Sequence, residues 1–189
     1  MHELTPYENW TRYYESSKDP NSPFYGKEYD LNIFTDNIYG YYIDPAWDYI
    51  GSDTLYLKIL YANYELNFCV IEMFGEWNDA INNDVMHLKR NIIDHLILQG
   101  INCFVVIGEN VFNFHGSDDL YYEEWFEELD EGWIAAINFR DFVLEEFTRY
   151  NVDSYINYGG NLQIANWRTF PPRKLFEMIS GLINRRLGM

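Results

Sequence analysis

From residue 55 onward the apolar positions come in short runs that switch between two spacings, and the switches predict an alternating series of strands and helices. Residues 55–61 and 68–74 are rich in Leu, Ile, Val, Phe and Tyr and read as strands. The short link between them, containing Asn67, predicts an antiparallel hairpin. A helix follows from about Asn78. Its apolar positions Ile81, Val85, Leu88, Ile92 and Leu96 recur every three or four residues, His87, Arg90, Asn91 and Asp94 fall mostly on the other side, and Gly100 supplies a stop. Such a stripe needs a sheet to cover.

Residues 103–107 form an uninterrupted apolar run, the pattern of a parallel strand covered on both faces, and so belong near the centre of that sheet. A helix over 118–128, a strand over 133–137, a helix carrying Phe142, Val143, Leu144 and Phe147, and a strand over 154–158 continue the alternation. The pair Pro171-Pro172 opens a last helix whose stripe is Leu175, Phe176, Ile179, Leu182, Ile183 and Leu187. Repeated strand-helix-strand units imply right-handed crossovers. The expected fold is α/β: a mostly parallel mixed sheet, edged by an antiparallel hairpin, with helices packed on it.

Residues 1–50 have a different texture. They are dense in Tyr, Trp, Asn, Asp and Pro and poor in Leu and Val, too little aliphatic material for a core of their own. The expected organisation is an aromatic-rich N-terminal extension, 1–50, packed on a main domain, 51–189. Within the extension, 31–34 and 38–42 flank Thr35-Asp36-Asn37 and predict a hairpin turning at that tripeptide.

Composition narrows the class. A chain of 189 residues holds one full core, and a hydrophobic fraction of 48% excludes disorder. No run approaches the roughly 18 to 20 apolar residues of a membrane helix, and Met1-His2-Glu3-Leu4-Thr5-Pro6 has neither the basic nor the apolar region of a signal peptide. A cytoplasmic protein is expected. Cys69 and Cys103 sit inside apolar runs, where a thiol packs as a small hydrophobe. A net charge of -17 argues against nucleic acid or an anionic membrane as partner, since neutralising phosphates takes clustered Lys and Arg. Between Arg90 and Arg140 there is no Lys or Arg. The acidity serves solubility, or it steers a basic protein partner.

The segment Gly108-Glu109-Asn110-Val111-Phe112-Asn113-Phe114-His115-Gly116-Ser117-Asp118-Asp119-Leu120 leaves the central strand and enters an acidic, aromatic helix. It resembles the segment that carries the regulatory serine in STAS domains, the family of bacterial anti-sigma-factor antagonists. Gly75-Glu76-Trp77 is similar to the Gly-Glu-Leu or Gly-Asp-Leu that precedes the first helix in that family, and 113–120 is similar to its Phe-x-Asp-Ser-[Ser/Thr]-Gly-[Leu] segment. Gly116 stands where the family has Asp, Asp118 where it has Ser or Thr, and Asp119 where it has Gly. The likeness covers roughly residues 55–158. It implies a STAS-like fold, a non-enzymatic regulatory or scaffold role exercised by protein-protein contact, and Ser117 as the phosphorylatable position.

The residues also speak for themselves. A serine ahead of Asp118 and Asp119 is placed to cap the next helix, and capping alone accounts for Ser117. A phosphate there gains from the helix dipole but meets repulsion from Asp118, Asp119 and Glu123. In 121–129, Tyr121, Trp125 and Leu129 form one helical stripe with Tyr122 and Phe126 beside it: either core, or an aromatic anchor ringed by acids. The expected interaction face is Glu109, Asn110, His115, Asp118, Asp119, Tyr121, Tyr122 and Trp125. The alternative is a metal-dependent or acid-base enzyme, because ligand sites of open α/β sheets lie beyond the carboxyl ends of the strands, where Glu76, Asp79, Arg140 and Asp141 also fall. His-Glu-x-x-His, a phosphate-cradling glycine loop and Gly-x-Ser-x-Gly are all absent. No cofactor or catalytic residue is assigned, and Glu109, Asp118 and Asp119 are the set that would hold a cation.

Overall fold

The computed structural model describes residues 2–187, without side chains for His2, Glu3 and Leu187, so the last position of the final stripe lies outside the described side chains. A small sheet of order β1-β3-β2 is made by β1 (His2–Leu4), β2 (Asn37–Ile38) and β3 (Tyr41–Ile43). The main sheet runs in chain order through β4 (Asp48–Tyr49), β5 (Leu55–Asn63), β6 (Phe68–Asn78), β7 (Cys103–His115), β8 (Trp133–Ile137) and β9 (Ile156–Asn157). Its first two pairings are antiparallel and its last three parallel. The expected α/β architecture, hairpin at one side and parallel strands beyond it, is the one observed.

Alternation of side chains gives the sheet two apolar faces. Leu57, Ile59, Ile71, Met73, Phe104, Val106 and Ile134 point to the first, where α1 (Asp79–Asn82), α2 (Asp84–Leu88), a π-helical turn (Lys89–Ile93), α3 (Asp94–Leu98), α4 (Leu120–Glu127) and α5 (Asp141–Arg149) supply the cover. Phe68, Val70, Val105, Ile107 and Ala135 point to the second, covered by α6 (Pro172–Leu187) through Leu175, Ile179 and Ile183. Trp10 joins that second core, its ring edge-on to Trp167 at 5.6 Å and its indole N-H donating to the Phe170 carbonyl at 3.2 Å.

Three departures from the sequence pattern have local causes. The first helix is broken. Asn78 caps α1 by accepting the Ile81 N-H, but Asn83 then takes a left-handed conformation (φ 54°), which resets the helical phase. Ile81 therefore leaves the buried stripe and is 83% exposed, while Val85, Leu88, Ile92 and Leu96 stay buried. The N-terminal hairpin turns at Tyr39-Gly40, not at 35–37, because those two residues carry the paired positive φ values (51° and 83°) of a tight hairpin turn. The central strand does not stop at Ile107: it continues to His115 beside β6, absorbing extra residues at irregularities opposite Glu72/Phe74 and Gly75/Glu76. Gly108 sits at the first of these. A Cβ there would lie 2.3 Å from the Phe139 ring, so glycine is what lets that ring close over the strand.

Ile92→Asp is expected to abolish cooperative unfolding, because it buries an unpaired charge between the π-helical turn and the sheet, whereas Ile81→Asp should melt within about a degree or two of wild type. Urea titration of both variants checks this; equal damage by the two would contradict the helix break. Trp10→Ala should cost about 3–5 kcal/mol if the N-terminal segment is part of the core, and a loss under about 1 kcal/mol would show that it is not.

Candidate functional site

β7 pairs with β8 no further than Ile107 and Ile137, yet stays paired with β6 as far as Asn78 and His115. The two strands thus run past the end of β8, with β5 beside β6 as far as Gly75, and project beyond both neighbours as a ribbon only at 76–78 and 113–115. On it, Glu76 accepts from the Tyr39 hydroxyl and, at 3.0 Å, from the Asn78 amide. His115 Nε2 lies 2.9 Å from the Asn113 amide nitrogen and 3.7 Å from Glu76 Oε1. Beside these, Tyr41 stacks on Phe112 at 5.0 Å and the Arg140 guanidinium lies 4.9 Å from the same ring. An open cleft of about 430 Å³ is lined by Tyr39, Tyr41, Phe112, Asn113, Arg140 and Phe142.

The expected site residues separate over this framework. Glu109 and Asn110 are strand residues inside β7, not loop residues. Glu109 faces the second core, accepts from Trp167 Nε1 (2.8 Å) and Asn138 Nδ2 (3.1 Å), and pairs with Arg168 at 2.6 Å. Asn110 is half-buried opposite Phe74. Asp118 is exposed, with its carboxylate accepting the Leu120 N-H at 3.2 Å; Asp119 is the residue preceding α4. The Asp119 carboxylate accepts from the Asn151 amide and from the Tyr155 hydroxyl (3.3 Å), and the Asn151 bond holds its pKa below the usual carboxylate range. Ser117 is exposed two residues before that cap position, so the helix begins later than the sequence suggests and Asp118 supplies the capping oxygen.

Tyr122 and Trp125 are removed from the interaction face. Both are buried: Tyr122 donates its hydroxyl to Asp79 at 2.6 Å, and Trp125 meets Phe104 edge-on at 5.4 Å. The apolar side of α4 has to cover β7, and these two residues do it. Tyr121 is half-buried under the Arg90 guanidinium, 5.4 Å from its ring. Glu109, Asp118 and Asp119 do not gather into a cation site, since no group of three or more His, Cys, Asp or Glu side chains among the described residues is placed to hold a metal. No helix among them is long and apolar enough to cross a membrane.

Two of the buried acids are Asp79, expected among the strand-end groups, and Glu72, which the sequence pattern does not single out as a site. Glu72, in β6, is 1% exposed; it accepts the Tyr7 N-H at 2.7 Å and lies 3.8 Å from Arg168. Burial pushes its pKa up to about 7. Asp79 accepts from Tyr122, from Trp77 Nε1 (2.9 Å) and from the Val85 N-H (2.8 Å), and burial pushes it up to about 6. The signal for Glu72 was legible: it is the one charge in an otherwise apolar strand run.

No family model matches the chain, and no curated protein matches it. Among solved structures, the anti-sigma factor antagonist SpoIIAA in its unphosphorylated form is similar with a TM-score of 0.42 and 12% identity, covering 70% of this chain and 97% of that one. The Bacillus cell fate determinant SpoIIAA in its phosphorylated form gives a TM-score of 0.37 and 14% identity, covering 55% of this chain and 91% of that one.

Glu72 and Asp79 hold their protons more tightly in the folded chain than in the unfolded one. From the ordinary carboxylate range up to about 7, folding therefore takes up protons at these groups, and their contribution to stability is full at the acid end and declines as pH rises. Glu72→Gln, which keeps an oxygen for the Tyr7 N-H, should flatten the fall in melting temperature between about pH 5 and 8. A fall as steep as that of wild type would contradict the assignment.

Proposed function

We propose that this chain acts as a non-enzymatic regulatory or scaffold domain that binds a basic protein partner through the exposed rim running from Ser117 along α4 to Glu131. The observation that carries the reading is the pairing of apolar and acidic groups on that rim. Leu120 is 62% and Phe126 42% exposed, and around them Asp118, Glu123, Glu127, Asp130 and Glu131 form no ion pair among the described residues. The cations that reach α4 come from the preceding helical turn: Lys89 and Arg90 pair with Glu124 and Glu128 and are consumed there. What remains is an apolar anchor inside a field of one sign, the composition that steers and then seats a partner of opposite charge.

Ser117 stands exposed at the end of this rim, and His115 beside it. A phosphoryl group on Ser117 would add charge where the field is already negative, so in this reading modification tunes the strength of the rim and does not create it. The expected face loses four of its members, Glu109 to Arg168, Asn110 to the strand, and Tyr122 and Trp125 to the core, and gains Leu120 and Phe126.

The test uses two variants of the full chain as bait in lysate. Leu120→Ser with Phe126→Ser removes the anchor, and Glu123→Gln with Glu127→Gln weakens the field; all four positions are at the surface or partly so, and each variant should melt near wild type. A protein that is captured by wild type, lost by both variants, and released as salt shortens the reach of charge to about 8 Å and below supports the rim. Capture that neither variant alters, at any salt, would overturn it.

A further inference from the structure

A cavity of about 380 Å³ lies away from this rim, between residues 6–17 of the N-terminal segment and β5. It has a structural origin. β4 pairs with β5 at Tyr56 and Leu57, and the next three residues of β5, Lys58, Ile59 and Leu60, line the cavity, with the ladder shifting register between Ile59 and Tyr61. The N-terminal segment bridges over that uncovered stretch, pinned by the Tyr7 N-H on Glu72 and by Trp10 in the second core, and leaves a space beneath.

Its inner wall is built from buried polar groups. Ser16 is 2% exposed, and its hydroxyl stands beside that of Tyr29 without completing a hydrogen bond. Lys58 Nζ donates to the Ala46 carbonyl at 2.9 Å, lies 3.3 Å from Asp48 Oδ2, and sits 4.0 Å from the centre of the Tyr29 ring. Lys27 claims the other oxygen of Asp48 at 2.7 Å. Two ammonium groups thus share one fully buried carboxylate, and Lys58 is the one of them that lines the cavity. Burial, acting against the charged form, lowers the Lys58 pKa. The mouth carries Glu8, exposed and in no ion pair among the described residues, and Glu15, half-buried and paired with Lys18 at 2.8 Å.

We propose that this cavity binds a small zwitterion, a free amino acid or dipeptide with an apolar side chain. Its carboxylate is received by the Lys58 ammonium and the Ser16 hydroxyl, its α-ammonium by Glu8, and its side chain by Leu60 and the rings of Tyr14 and Tyr29. A simple anion would have to pass the unpaired Glu8 carboxylate at the mouth, and a simple cation would meet Lys58 at the end. A molecule with both charges, in that order, satisfies both. The volume falls at the low end of the roughly 300–1,000 Å³ usual for small-molecule sites, which suits a ligand of this size.

The experiment is titration of the full chain with leucine and with the dipeptide Leu-Leu, read by calorimetry and by amide NMR shifts, against N-acetyl-Leu-Leu-amide, which has the same side chains and neither charge. Saturable binding of the free dipeptide or of leucine, with shifts at residues 14–17 and 58–60 and at least about a tenfold loss for the capped peptide, is the expected result. Lys58→Met, which keeps the stem and leaves Asp48 with Lys27, should lose at least about tenfold in affinity. Ser16→Ala removes a hydroxyl without a partner, so it should weaken binding several-fold with the melting temperature unchanged. No saturable binding of either ligand at millimolar concentration, equal binding of the capped peptide, or affinity that neither variant changes would each overturn the proposal.

Discussion

The pairing of β6 with β7 past the end of β8 is the constraint on which the other features depend. Where β6 and β7 run beyond β8, with β5 still beside β6 as far as Gly75, both faces carry large rings. Trp77 and Phe114 on one side are met by Tyr122, Phe139 and Phe147 from α4, α5 and the end of β8. Phe74 and Phe112 on the other side have no helix of their own. They are met by Trp47, stacked on Phe74 at 5.3 Å, and by Tyr39 and Tyr41 of the small sheet. The N-terminal residues are therefore aromatic because the surface they cover is aromatic, and rings in edge-on and offset contact fill such a surface with few residues.

A second consequence is electrostatic. The second face of the sheet is apolar under α6 and apolar again under the small sheet, but between these two regions a row of charge crosses the strands: Asp48, Lys58, Glu72 and Glu109, with Lys58 directly opposite Glu72 in the ladder. The three acids each take a partner from outside the sheet, Asp48 from Lys27 and Tyr29, Glu72 from the Tyr7 N-H, Glu109 from Trp167 and Arg168, while Lys58 lies against Asp48. Removing a partner from such a row leaves a buried charge, which costs more than the pair itself gains. The row thus specifies where the N-terminal segment and the segment before α6 must lie, and the cavity beside Lys58 is the space left when they do.

How much of this was legible in the sequence depends on whether periodicity survives locally. Residues 103–107 announced a central strand because five apolar residues in a row have few other uses. Residues 109–115 did not, since Glu109, Asn110 and Asn113 look like loop chemistry, and two irregularities in the β6 pairing shift the alternation. Ile81 fitted the stripe by spacing and fell out of it because Asn83 interrupts the helix, an event a spacing rule does not see. In α4 the pattern was right and ambiguous: Tyr122 and Trp125 cover the sheet, Leu120 and Phe126 do not, and only the direction of approach decides which side is core. The site residues scattered for the same reason. Seven consecutive positions assigned to one loop were in fact a strand, so alternate side chains went to opposite faces, and Glu109 and His115 ended in different surroundings.

Native-state hydrogen exchange of the amides from 109 to 115 tests the extended β6-β7 pairing most directly. If β7 continues to His115, the amides on its β6 side from 109 to 115 should be protected nearly as well as those from 103 to 107 and should exchange through the same cooperative opening. Exchange of 109–115 at the rate of an exposed loop, with protection ending at Ile107, would contradict the account.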